Sequence, residues 1–444
     1  MKNSFIRILT LAVCFFLISG CATYQANPRL EETENLYDVI HATFVDTKRS
    51  DELLFLLTFS GGGTRAAAMS YGILEALAKV EIPQKNAQTK SDSPGYTLLD
   101  EVDFISSVSG GSFTATYYGL HGKKAFEDYP ERFLYQNVQS ALLWRFLNPF
   151  IWPKLMSKNF NRSDMAADYY DKILFDGKLM GDMLLSDGPA ILVQATDIID
   201  GYNFSFTPYF FQLICSSLIN FKVSKAVTAS SSFPGAFSGI SLTNYGGQCG
   251  YQSKPWVYEA IKKNDPLDMK SRFAERELHY TNSKEKQFVH LFDGGVSDNL
   301  GLRGQVGALA QLSERRVDLQ KISLSNTRRV LFIIVNAQTN FNKDKKILNM
   351  ISAPPSTKRS LSAAMATIMN TNSFDTLYLF QDYLEERILQ GQTSSEEPVK
   401  IGYDIIHITF ASIADKDERQ FFENLPTTLQ LPAETVDRVR KKAG

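Results

Sequence analysis

Apolar residues in this chain gather into short unbroken runs, separated by Ala- and Leu-rich stretches and by turns of small residues. Leu53-Leu54-Phe55-Leu56-Leu57-Thr58-Phe59 has no polar alternation, which suits a strand covered on both faces. Val102-Asp103-Phe104-Ile105 reads as the end of a second buried strand. Ala190–Asp197 is a third, with Tyr202–Thr207 as its partner across a turn at Asp200-Gly201. Gln287–Phe292, Arg329–Asn336 and Tyr403–Phe410 continue the series. Ala66–Val80, Phe113–Tyr118, Ser163–Phe175 and Lys222–Ser232 read as helices, and Pro432–Lys442 as a terminal helix with proline at its start. Strands alternating with helices predict an α/β fold with a mostly parallel sheet covered on both faces.

Residues 122–160 break this pattern. Phe133, Leu134, Leu142, Leu143, Trp144, Phe146, Leu147, Phe150, Ile151 and Trp152 crowd one stretch, interrupted by Pro149 and Pro153. Three readings stay open: a hydrophobic cap over a site, a surface that touches a membrane, or helices packed on the core. The stretch is expected as an insertion, about 122–180, within one large domain over 51–444. Residues 84–97 read as a polar loop.

The first 21 residues stand apart. Lys2 and Arg7 precede an apolar run, Ile8 to Ile18, too short to span a bilayer, that ends in Ile18-Ser19-Gly20-Cys21. This resembles a bacterial lipobox, which implies that residues 1–21 are a signal segment and that Cys21 is lipidated and anchors the chain to a membrane. Ala22 after the cysteine resembles enterobacterial lipoproteins of the outer membrane, so the expected place is the cell envelope, facing the periplasm. Residues 22–50 are polar, poorly periodic and expected to form a tether. Cys215 and Cys249 remain in the mature chain, where an oxidising periplasm permits either a bridge or two buried thiols.

Charge excludes little beyond nucleic acid. The 444 residues carry 47 Lys and Arg against 48 Asp and Glu, and no polybasic stretch stands out.

The candidate chemistry lies in three small-residue turns that each follow a strand: Gly61-Gly62-Gly63, Ser109-Gly110 and Asp293-Gly294-Gly295. Ligand crevices of open α/β sheets lie at the carboxyl ends of strands, so all three turns can face one crevice. Ser107-Val108-Ser109-Gly110-Gly111, between a strand and a helix, has the form of a nucleophile elbow. Acyl transfer needs a nucleophile, a base and donors for a developing oxyanion. Ser109 is the nucleophile candidate. Gly61, Gly62 and Gly63 can bring N–H groups close to a substrate oxygen at a helix N-terminus, and Gly110 can add another. None of the five histidines is well placed as a base. His290 lies on the strand that ends at Asp293 but points to the opposite face. His121 is twelve residues past Ser109, and His41, His279 and His407 have no motif around them. Asp293 is the better candidate.

With Gln194-Ala195-Thr196-Asp197 and Ala229-Ser230-Ser231-Ser232-Phe233-Pro234 added, the order of these motifs over roughly 53–340 resembles the patatin-like phospholipase family. The resemblance implies a three-layer α/β/α fold and a Ser109–Asp293 dyad acting on acyl esters of phospholipids or lysophospholipids. It also implies an oxyanion hole from the Gly61–Gly63 turn, with Arg65 bracing that loop, and no cofactor or metal. Ser107 replaces the first elbow glycine, and Ala66 stands where many members have glycine. Two other readings compete with it. Gly61-x-Gly63-x-x-Ala66 also fits a dinucleotide-binding fingerprint, but Glu81 precedes Ile82-Pro83 and a polar loop where that fold needs a second strand. The other is a lipoprotein of the same fold that binds or transfers acyl lipid without hydrolysing it, against which an intact Ser109 and Asp293 argue.

Overall fold

The computed structural model describes residues 27–32, 48–84, 95–157, 160–263, 265, 268–305, 326–339, 364–365, 367–382 and 402–444. The leader, Cys21, His41, most of the 84–97 loop and much of the expected tether lie outside the described residues.

Eight strands form one sheet: β1 (Leu53–Phe59), β2 (Phe104–Val108), β3 (Ala190–Asp197), β4 (Tyr202–Ser205), β5 (Ile240–Thr243), β6 (Phe288–Asp293), β7 (Arg329–Asn336) and β8 (Gly402–Thr409). Their order is β5-β6-β3-β2-β1-β7-β8, with β4 folded back on β3. The unbroken apolar run of β1 is central, parallel to β2 (Leu56 opposite Phe104) and to β7 (Leu53 opposite Arg329). It is covered on both faces, as its sequence requires. Phe55, Leu57 and Phe59 point into the main core, while Leu54 and Leu56 pack with Leu300, Leu302, Phe332, Ile334 and Phe380 on the other side.

The helices used below are α1 (Gly63–Leu77), α2 (Gly110–His121), α3 (Val138–Leu147), α4 (Arg162–Tyr170), α5 (Val223–Ser231) and α6 (Ala433–Ala443). α4 begins at Asn161, whose side chain accepts from Ser163 and Asp164 N–H, and it passes into a wider turn over Asp171–Phe175.

Three expectations change. First, β6 is antiparallel to β3, with Ala195 opposite Asp293, and β5 is antiparallel to β6. Asp293 therefore does not reach the crevice as the end of a parallel strand. β6 runs the opposite way and pairs only with the last residues of β3, so its end stops at the level of the β2 end, where Val108 lies opposite Gln194. Second, the 22–50 segment is not loose throughout. The Asn27 side chain accepts from Thr243 N–H (2.7 Å) and donates to Thr243 O (3.1 Å), pairing with β5 as a strand would. Leu30 is buried and donates to Cys215 O, and Arg49 is buried against Asp103 at 3.1 Å. Third, the 122–160 stretch divides. Phe133, Leu134 and Leu142 join the core, whereas Leu143, Trp144, Phe146, Leu147, Phe150 and Trp152 are exposed. Cys215 and Cys249 form a disulfide.

Candidate active site

β2 runs up to Val108, and the chain turns at Ser109 directly into α2. Ser109 adopts φ 49° and ψ −119°, a left-handed conformation that costs a residue with a Cβ energy unless its surroundings enforce it. Two bonds do so. Ser109 N–H donates to Ser230 Oγ at 2.8 Å, and Ser109 O accepts from Ser112 Oγ at 2.6 Å. Ser107, in the first-glycine position of the elbow, ends no turn. It is a fully buried strand residue whose hydroxyl donates to Leu192 O on β3.

Ser109 and Asp293 stand on opposite sides of β3, two inter-strand spacings or roughly 10 Å apart along the sheet. Their side chains converge over it: Ser109 Oγ donates to Asp293 Oδ2 at 2.8 Å. Asp293 Oδ1 accepts from Gly295 N–H at 2.8 Å, so both carboxylate oxygens are engaged and the rotamer is fixed. The acid is buried, and among the described residues no basic side chain pairs with it. Burial pushes its pKa up to about 6, against the opposing pull of the Gly295 and Ser109 hydrogen bonds.

The end of α5 joins the two halves. Ser230 Oγ holds the Ser109 amide, while the Ser230 and Ser232 carbonyls accept from Gly294 and Asp293 N–H. Thr196 Oγ1 on β3 donates to Asp293 O at 2.8 Å. Thr196 and Ser230 lie within stretches already singled out as motifs, yet nothing in those stretches says which group each would hold. Asn299, six residues past Asp293, is a further residue the sequence did not indicate. Its carbonyl accepts from Gly61 N–H at 3.1 Å, and its side-chain oxygen lies against Gly61 and Gly295.

That bond alters the expected donor set. Gly61 N–H is occupied by Asn299 and does not face the cleft. The Gly62, Gly63 and Gly110 N–H groups have no acceptor among the described residues. Gly62 has φ 143° and Gly63 φ 62°, so the turn needs glycine. A side chain at Gly110 would clash with the Gly63 carbonyl. The N-termini of α1 and α2 therefore abut, and both dipoles direct positive potential at the place where Ser109 sits. Arg65 is buried in the first turn of α1. Its guanidinium donates to the Ala337 and Leu425 carbonyls and to Thr427 Oγ1, and a Cβ on Gly62 would lie 3.1 Å from its Nη2. Burial lowers its pKa to about 10.

The four described histidines are engaged elsewhere. His290 pairs with Ser241, His279 with Asp200 and His407 with Asn336, and His121 packs on the Tyr117 ring.

A strained serine between strand and helix, facing a buried carboxylate beside two helix N-termini, gives this α/β protein the form of a nucleophile elbow. A family model described as patatin-like phospholipase matches residues 57–304, and the chain belongs to that family. At the family level this is lipid acyl-hydrolase chemistry, and the fold is the patatin fold. Similar solved structures include human GIVD cytosolic phospholipase A2, at 12% identity and TM-score 0.38, covering 92% of this chain and 63% of that one. The same enzyme in complex with methyl gamma-linolenyl fluorophosphonate gives 13% identity and TM-score 0.40, covering 92% and 60%. The chain thus spans about three fifths of the length of those structures. No curated protein matches the chain by sequence.

Proposed function

We propose that this chain is a serine hydrolase that cleaves the acyl esters of phospholipids or lysophospholipids at a bacterial membrane, with Ser109 as nucleophile and Asp293 as base. The observation that carries this reading is the 2.8 Å hydrogen bond from a strained Ser109 to a buried carboxylate that has no counter-ion among the described residues. Asp293 takes the hydroxyl proton as Ser109 Oγ bonds to the acyl carbonyl carbon. The carbonyl oxygen becomes an oxyanion and receives the N–H groups of Gly62, Gly63 and Gly110. Collapse expels the alcohol, which takes the proton from Asp293 and leaves an acyl-serine. Water then attacks this ester, Asp293 takes the water's proton, and the fatty acid departs as Ser109 regains its own. Gly61 serves through its small size and its bond to Asn299, and Arg65 braces Gly62 from below. A carboxylate with a pKa near 6 is a better base at neutral pH than an ordinary one.

Ser109→Ala should abolish turnover of a short-chain ester with the fold intact. A wild-type rate in that variant refutes the mechanism. Mass spectrometry of mixed bacterial phospholipids should show free fatty acid with wild type only. Release from short esters alone would leave an esterase without the lipid assignment, and binding without any turnover would favour the non-hydrolytic lipoprotein. The same reading includes lipidation of Cys21, with the chain held on the periplasmic side of the outer membrane. Cys21→Ser should move the protein out of the membrane fraction or leave it unprocessed, and unchanged mass and fractionation would refute the anchor.

A further inference from the structure

The exposed half of the 122–160 stretch forms an ordered platform. In α3, Val138 and Leu142 face the core, yet the opposite face carries Leu143, Trp144 and Leu147, all exposed. A large exposed apolar patch on a helix already anchored in the core marks an interaction surface. The chain then folds back. Asn148 Oδ1 accepts from Phe150 N–H, and Trp152 Nε1 donates to Phe146 O at 3.0 Å. This fixes Phe150 (91% exposed), Trp152 and Met156 (83%) beside the end of α3.

Charge and position identify the partner. From Arg132 to Ser163 the sequence carries five basic residues and no acidic one, in a chain whose other residues are net acidic, although Arg132 itself pairs with Asp176. Within the platform Arg145 lies over the Tyr169 ring, and Lys154 pairs with Asp168 of α4. The platform leads into the start of α4, where Asn161 donates to Gly239 O and Ser163 Oγ accepts from Ser232 Oγ at 3.2 Å. Ser232 is the residue whose carbonyl holds Asp293 N–H. The platform is therefore attached beside the rim of the Ser109 site. No helix among the described residues is long and apolar enough to cross a membrane, and the ten residues of α3 suit lying in an interface.

We propose that this platform is a docking surface for a phospholipid bilayer bearing anionic headgroups, with Trp144, Leu147, Phe150 and Trp152 entering the headgroup–acyl boundary. This rests on the acyl-hydrolase reading only for the purpose of the contact, which is to bring an acyl ester to Ser109 without full desorption from the bilayer.

Two of the three tryptophans lie on the platform, so a full-length Trp256→Phe chain reports from Trp144 and Trp152 alone. Vesicles of brominated phosphatidylglycerol and phosphatidylcholine should quench that fluorescence, and more strongly than vesicles of brominated phosphatidylcholine alone. This signal reports tryptophan depth, whatever else holds the chain to the vesicle. Leu147→Asp with Phe150→Asp should remove the quenching. It should also lower turnover of vesicle phospholipid by about tenfold or more, with turnover of a monomeric short-chain ester unchanged. Phe150→Asp alone, at a turn position outside the helix, serves if the double variant misfolds. Absence of quenching, or unaltered vesicle turnover in the variants, overturns the proposal. Equal quenching by both vesicle types overturns the assignment to anionic lipid. Self-association that disappears in Phe150→Asp, by ultracentrifugation, overturns it in favour of a second copy of the chain. A wild type inactive on every ester would refute the hydrolase reading, and the quenching would still decide the docking surface.

Discussion

Two buried aspartates lie two register positions apart at the end of β3, and their surroundings differ. Asp197 is fully buried and answered by a cation: Lys286 Nζ lies 2.8 Å from both Asp197 and Asp200, and Tyr280 donates to Asp197 at 3.1 Å. Asp293, opposite Ala195, is as deeply buried but among the described residues its carboxylate meets only an amide and a hydroxyl. A fold that needed only a polar plug at the β6 end would have no cause to leave the charge unmatched, because an unpaired buried carboxylate opposes folding. The Asp197 cluster gains rigidity from its pairing. Asp293 is left with one partner that can give it a proton, and that partner is Ser109.

The comparison is broken most forcefully by Asp293→Asn. On the proposed mechanism the shape is kept and the base is lost, so kcat on a short-chain ester should fall by about 10⁴-fold or more, measured against active-site-intact protein. The next largest effect belongs to the other region. Lys286→Met leaves Asp197 without its cation and Asp200 with only His279 beside it, and should destabilise the fold by about 3–5 kcal/mol in denaturant titrations, while kcat per folded molecule stays near wild type. If Lys286→Met lost activity at full stability, the division between a structural and a chemical acid would fail.

Asp293→Asn should also shift stability the other way. The native pKa of about 6 lies above the ordinary carboxylate value of 3.8. The native state therefore holds its proton more tightly than the unfolded chain, and the associated stability is fully present below about pH 4 and is lost as pH rises through about 6. Above that range the buried charge costs up to about 3 kcal/mol. Asp293→Asn should melt higher than wild type at pH 8 and converge with it near pH 4. For the same reason, wild-type kcat should decline as pH falls through about 6. A variant no more stable at pH 8 would mean that the charge is compensated.

What the chain disclosed in advance follows the physics of each feature. The bounds of β1 and β7 could be read directly, because strands covered on both faces leave continuous apolar runs, and β3 announces itself by the shorter run Ala190–Val193. The glycine turns could be read because close approach of backbone to backbone admits little else. The antiparallel sense of β6 could not, since an apolar run has no direction. β5 is not legible in the sequence, because Ile240-Ser241-Leu242-Thr243 is short and its edge is completed by Asn27, more than 200 residues away in sequence. The Gly61 amide looked equivalent to those of Gly62 and Gly63, and only Asn299, brought in from beyond β6, distinguishes it. The apolar crowd at 133–152 gave no means of telling core from surface, because its composition is the same on both sides of α3.

The smallest effect tests how the site is held. Ser230 is fully buried, and its hydroxyl accepts the N–H of Ser109 while its carbonyl accepts that of Gly294. Ser230→Ala removes only the first of these bonds. It leaves a buried amide unsatisfied at a residue already in a left-handed conformation, an arrangement that costs about 1–3 kcal/mol. The elbow can relieve that cost by relaxing its φ, and the relaxation carries Oγ away from Asp293. The expected result is a fall in kcat of about tenfold with KM little changed, since the substitution acts on the position of Oγ. Stability should change far less than in Lys286→Met, because strain released at Ser109 offsets part of the lost bond. Ser230→Cys, which keeps a weak acceptor, should recover part of the rate. An unaltered kcat in Ser230→Ala would mean that the strand and helix alone impose the turn, and that the end of α5 holds Asp293 but not Ser109.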